Sequence, residues 1–123
     1  MAAGKYDMYI EQGTDYSLLV TLKDDNNALI NLTGHAFRGK IRKTASSPTV
    51  IAEFSFEVLD QGTNTGEFKV KLDDAVSSAI ALDPSENPER TTTFFCYDIE
   101  SELAGTVTRW LEGTVEMSPE VTK

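Results

Sequence analysis

Apolar and polar positions alternate with a period of two along most of this 123-residue chain, which is the pattern of strands that bury one face. Tyr6, Met8 and Ile10 share one side of a first strand. Tyr16, Leu18, Val20 and Leu22 share one side of the next, with Ser17, Thr21 and Lys23 opposite. Asp24-Asp25-Asn26-Asn27 is a cluster of turn formers and predicts a hairpin onto Ala28–Leu32. Beyond it Phe37, Gly39 and Ile41 point inward and Arg38, Lys40 and Arg42 outward, and a glycine inside a strand signals a bulge or a close backbone approach. Ala52, Phe54, Phe56 and Val58 alternate with Glu53, Ser55 and Glu57, and Phe68, Val70 and Leu72 with Glu67, Lys69 and Lys71.

The period changes once, in residues 73–82. Asp73 or Asp74 is a plausible N-cap there, and Val76 and Ile80 stand four apart, so one short helix is expected. Residues 83–90 carry two prolines and charged residues and read as an exposed loop. The remainder reads as a long hairpin turning at Gly105. Phe95, Tyr97 and Ile99 lie on one face of its first strand, and Val107, Leu111, Val115 and Met117 lie inward on the return strand. Seven to eight strands with turns every 8–12 residues and one short helix predict an all-β antiparallel sandwich, one domain over residues 1–123.

That alternation sends Trp110 outward with Thr108, Glu112 and Thr114. The last strand, roughly 106–117, then presents a large aromatic either to a partner or to the underside of the 83–90 loop. An uncovered edge strand of that length would also template pairing with another chain.

Charge sharpens the picture. The chain carries −9 overall, balanced at +1 over residues 1–50 and −10 over residues 51–123. Net acidity argues against nucleic acid as the main partner, because phosphate binding runs on clustered cations. Arg38, Lys40 and Arg42 are such a cluster, with Lys43 following; they fit a solvated strand face first, then a seam that meets an acidic surface of another copy, and last a DNA site. No apolar run approaches the roughly 20 residues of a membrane helix. The first residues lack the basic and apolar regions of a secretion signal, so synthesis in a cytoplasm is expected.

Chemistry-bearing motifs are missing. There is no phosphate loop, dinucleotide fingerprint, HExxH or calcium loop. One cysteine, Cys96, and one histidine, His35, leave no disulfide framework or multi-cysteine zinc site, and no third group to complete a Cys–His pair. The pairs Asp24–Asp25 and Asp73–Asp74 sit at a turn and a helix start, where local hydrogen bonding explains them. Asp98, Glu100 and Glu102 line one strand face, read as solvated. No catalytic residue, cofactor or metal is expected.

The two ends of the chain together resemble a family of small tailed-bacteriophage virion proteins. Its members open on Tyr-Asp-x-x-Ile-x-Gln-Gly, here residues 6–13, pass through a Leu-Thr-Gly turn and a strand ending in Ile-Arg, and close on Tyr-Asp-Ile-Glu, a Gly-Thr-Val-Thr-Arg strand and Pro-Glu-Val-Thr. Similar modules form the N-terminal part of some phage upper-baseplate proteins. Gln12, Gly13, Leu32, Thr33, Gly34, Arg42, Tyr97, Asp98 and Arg109 to Gly113 match; Trp110 departs, standing where the family more often has an aliphatic residue. The resemblance implies an immunoglobulin-like sandwich, architectural roles for these residues and a place in the virion.

Sequence and resemblance together give the expectation of a tail, baseplate or neck protein, made in the host cytoplasm. It would hold other virion proteins and copies of itself, as a symmetric homo-oligomer, through Trp110, Arg38, Lys40 and Arg42. The alternatives are a head decoration protein, or a carbohydrate-binding sandwich that recognises a cell-surface glycan through Trp110 and Tyr9.

Overall fold

The computed structural model describes residues 4–80 and 92–119. Among these residues nine strands and one helix follow in chain order: β1 (Gly4–Lys5), β2 (Met8–Glu11), β3 (Tyr16–Thr21), β4 (Ala36–Arg42), β5 (Ala52–Glu53), β6 (Ser55–Val58), β7 (Glu67–Leu72), α1 (Asp74–Ser78), β8 (Thr93–Leu103) and β9 (Thr106–Ser118). A six-stranded sheet runs β1-β9-β8-β4-β5, with β2 continuing β1 along β9, and it faces a three-stranded sheet in the order β3-β7-β6. The partition is that of an immunoglobulin-like sandwich: β3, β7 and β6 stand as its strands B, E and D, and β9, β8, β4 and β5 as G, F, C and C′. The expected all-β architecture is therefore present, and so is the short helix. The 83–90 loop lies outside the described residues.

Alternation builds the core. Met8, Ile10, Ile41, Phe68, Val70, Leu72, Phe95, Tyr97, Ile99, Val115 and Met117 are all buried. Each large apolar side chain removed from water contributes roughly 1.5–3 kcal/mol before entropy is counted. Aromatic rings pack in the core in place of a disulfide: Phe37 of β4 stacks on Phe68 of β7 across the two sheets at 4.3 Å between centroids, and Phe54, where the chain crosses from β5 to β6, meets Tyr97 edge-on at 5.9 Å. Gly39 is a close backbone approach, since a Cβ there would stand 3.0–3.1 Å from Phe56, Asp98 and Ile99. The Asp24–Asn27 turn forms as expected, with Asp24 Oδ1 accepting from the Asn26 and Ala28 amides. Its return segment bridges at Lys23–Leu29, with the Asp24 amide donating to the Ala28 carbonyl and the Ile30 amide to the Leu22 carbonyl, and makes no strand. Val58, expected inward, is exposed at the end of β6.

The last strand departs from the sequence expectation in two ways. First, β9 is no edge. β1 and β2 pair with it in parallel, from Gly4 opposite Leu111 to Glu11 opposite Ser118, while β8 pairs on its other side. Gly113 makes that crossing possible, because a Cβ there would lie 2.2 Å from the Tyr6 carbonyl oxygen. Second, the register slips between Ile99 and Glu100: Ile99 faces Leu111 but Glu100 faces Arg109, so Trp110 is the extra residue of a β-bulge. One inserted residue reverses the parity of everything before it. Val107, expected in the core, is 47% exposed, whereas Trp110, expected outward, packs against the core beside Leu111.

Candidate functional site: the charge-laddered outer face

Because β4, β8 and β9 each alternate, their polar positions converge on the outer face of the large sheet. Register sets them in rows. One row crosses five strands as Glu53, Lys40, Asp98, Glu112 and Lys5. The next holds Arg38, Glu100 and Arg109, and a third holds Arg42, Cys96 and Thr114. The face is a shallow concavity of about 700 Å³, with Lys5, Lys40, Arg42, Asp98 and Arg109 among its lining residues.

Within it the ladder pairs itself. Arg38 Nε donates to Glu100 at 2.5 Å and its Nη1 to Glu102 at 3.4 Å. Lys40 stands 3.8 Å from Glu53, and Arg109 stands 3.4 Å from Asp98. Arg42 donates to the Ser47 carbonyl at 3.0 Å, which ties the loop after β4 to its strand. The hydrogen bond and charge of Glu100 raise the Arg38 pKa further above its ordinary value.

This corrects one expectation and supports another. Arg38, Lys40 and Arg42 do share a face, but the acidic strip beside Arg38 and Lys40 belongs to β8 and β5 of the same chain, so no second copy is needed to neutralise it. The signal was in the sequence: Asp98, Glu100 and Glu102 alternate in step with the three cations, and register alone decides whether two such strips become neighbours.

Trp110 belongs elsewhere. On the inner side of the sheet its Nε1–H donates to Ser101 Oγ at 2.9 Å, and the same oxygen lies 2.9 Å from His35 Nδ1. A single hydroxyl satisfies both rings if it donates to Nδ1 and accepts from the indole. Ser101 is 1% exposed, so this Ser–His contact locks the bulge and offers no open nucleophile. Cys96 lies on the other face, away from His35. Trp110 and Tyr9 do not form a pair either: Tyr9 sits opposite Glu116 with Phe94 on the far side of that carboxylate, and both aromatics are exposed.

Of the residues shared with the phage pattern, Arg42, Asp98, Arg109 and Glu112 line the outer face, whereas Gln12, Gly13, Leu32 and Tyr97 act as joints. The Gln12 amide donates to the Ile80 carbonyl at 2.8 Å, and the Gly13 amide donates to Ser77 Oγ, which donates on to the Thr14 carbonyl. Leu32 is fully buried, and its amide donates to Gln61. The Tyr97 hydroxyl donates to the Tyr6 carbonyl at 2.5 Å, and burial raises its pKa far above the ordinary phenol value. Tyr16 is pushed up to about 12 by burial and by the nearby Tyr6. Among the described residues, no group of three or more His, Cys, Asp or Glu side chains is placed to hold a metal, and no helix is long and apolar enough to cross a membrane.

No family model matches the chain, and no curated protein matches it. Among solved structures it is similar to the extracellular domain of the voltage-gated sodium channel beta4 subunit, whose parallel homodimers are described as explaining cell–cell adhesion. Identity there is 11%, over 98% of this chain and 97% of that one, with a TM-score of 0.35. A likeness that loose carries no argument about what this chain binds.

Proposed function

We propose that the chain is a structural component of a tailed phage particle, in the tail, baseplate or neck, and that it works by protein–protein contact. The observation that carries this reading is where the phage-like motif residues lie. Gln12, Gly13, Leu32 and Tyr97 hold the sandwich together, and Gly113 leaves room for the chain's first strands; none converges on a reactive centre. The other matching residues Arg42, Asp98, Arg109 and Glu112 line the charged outer face, so the shared pattern covers both the joints of the sandwich and one surface. The charge ladder supports the reading as a contact face that orients a partner, since rim charges act mainly on encounter and register.

The test is fractionation. Antiserum against the recombinant protein should detect it in gradient-purified particles from an induced source culture, and gold-labelled antibody should mark one place on the particle. Recovery only in the soluble lysate would reject the proposal.

A second reading has its own observation. Tyr9 and Phe94, both exposed, flank Glu116 on the outer face, an arrangement of two ring faces and one acceptor suited to a sugar. A glycan array comparing wild type with a Tyr9→Ala, Phe94→Ala double variant decides it: binding lost in the variant favours the glycan reading, and no wild-type binding removes it.

A further inference from the structure

The three-stranded sheet ends on β3, the longest edge strand among the described residues. Natural edges are blunted by charge, proline, bulges or brevity. Over Tyr16–Thr21 the sequence is Tyr-Ser-Leu-Leu-Val-Thr, with none of the first three, and its register with β7 is unbroken from Tyr16–Leu72 to Thr21–Glu67. Leu19, on the outer face, is 53% exposed.

The backbone shows which groups the edge offers. Just past β3, the Leu22 amide donates to Gly66 and its carbonyl accepts from Ile30, both on the β7 side. Period-two alternation then turns Leu18 and Val20 toward β7, and Ser17, Leu19 and Thr21 toward the open edge.

We infer that β3 is a two-fold pairing edge for a second copy of this chain, with Leu19 opposite Leu19 across the axis. The side chains support this occupant because the outward positions form a chemical palindrome: Asp15, Ser17, Leu19, Thr21, Lys23. Antiparallel pairing centred on Leu19 sets Ser17 against Thr21 of the second copy and Asp15 against its Lys23, and the same pairs recur on the other side of the axis. About six backbone hydrogen bonds form, and two exposed leucines cover each other. Shifting the centre by one residue in either direction breaks both acid–base pairs. Asp15 is also held in place, since its Oδ1 accepts from the Asp74 amide at 2.7 Å. On the neighbouring β7, Lys69 stands opposite Leu19, Glu67 opposite Thr21, and Lys71 pairs with Glu57, so no block of like charge faces the second copy. The inference rests on the edge alone and does not depend on the phage reading.

Sedimentation velocity across a concentration series tests it. Wild type should dimerise reversibly, and Leu19→Lys, which sets two ammonium groups across the axis, should weaken the dimer about tenfold or more. Asp15→Lys alone and Lys23→Glu alone should each weaken self-association, because each sets like charges together at both ends. Mixing those two chains restores both pairs and should yield a heterodimer. Circular dichroism confirms that each variant is folded. A wild type that stays monomeric at about 0.5 mM, a dimer unaffected by Leu19→Lys, or a mixture with no heterodimer overturns the inference; capture of an extended strand from another protein by a monomeric chain would do the same.

Discussion

The six-stranded sheet closes its polar surface within the chain. Its cations on β4 lie beside acids on β8, one edge is the two-residue β5, and the long β9 is covered by β1 and β2. The three-stranded sheet has a 4.3 Å ring stack beneath it and a comparably ordered ladder, yet among the described residues no strand pairs with the outer side of β3, which is itself uncharged. The difference separates two kinds of surface in one sandwich. Where strand register brings opposite charges together, the sheet is self-sufficient and a partner adds little energy. Where a regular edge has no such neighbour, the unpaired backbone is the strongest recognition element available.

That contrast can be broken most forcefully at Gly113. Gly113→Val drives a side chain into the Tyr6 carbonyl, which should detach β1 and β2 and expose Met8 and Ile10. We expect a loss of about 3 kcal/mol or more in urea denaturation, together with a new tendency to aggregate through the uncovered β9.

Trp110→Ala should destabilise the monomer by about 2–3 kcal/mol, because it empties a site packed against the core. Trp110→Phe keeps most of the packing but removes the indole N–H that donates to Ser101, and should cost about 1 kcal/mol. Near-normal stability of the alanine variant would return Trp110 to the surface role that simple alternation assigns it.

Tyr97→Phe should cost about 1 kcal/mol by stranding the Tyr6 carbonyl. It should also change the alkaline limb of stability. Tyr16 and Tyr97 both have raised folded pKa values, so their stabilising contribution is complete below the ordinary phenol pKa near 10 and is lost as pH rises through the folded values, about 12 for Tyr16 and higher for Tyr97. Wild-type stability should therefore fall from about pH 10 upward, and fall less steeply in Tyr97→Phe.

Smaller effects sharpen the comparison. Arg38→Glu with Lys40→Glu sets acids against Glu100 and Glu53, so its melting temperature should drop at low salt and recover at high salt. On the other sheet, Leu19→Ala should leave monomer stability within about 0.5 kcal/mol, since the side chain is mostly in water.

What the sequence disclosed follows from these same interactions. Strand faces were legible wherever the period of two ran unbroken, as from Phe68 to Leu72, and α1 was legible from the change of period at Asp73. The bulge at Trp110 was not, because Thr-Val-Thr-Arg-Trp-Leu reads equally well in either parity, and the deciding contact is a hydroxyl on β8. Nor was the cover over β9, a pairing between residues at opposite ends of the chain. The charge strips were each visible, but their adjacency was set by strand order, which alternation does not encode.

The parallel pairing of β2 with β9 also fixes an order in time. Met8 finds its place against Val115, so a segment made early on the ribosome waits for one made about a hundred residues later. At translation rates of roughly 5–20 residues per second, Met8 and Ile10 remain without their strand partner for some seconds. Of the contacts this sheet makes, theirs closes the longest loop and is among the slowest to form. A nascent chain stalled before β9 should hold β1 and β2 undocked, open to protease at Lys5 and to any chaperone that reads exposed methionine and isoleucine.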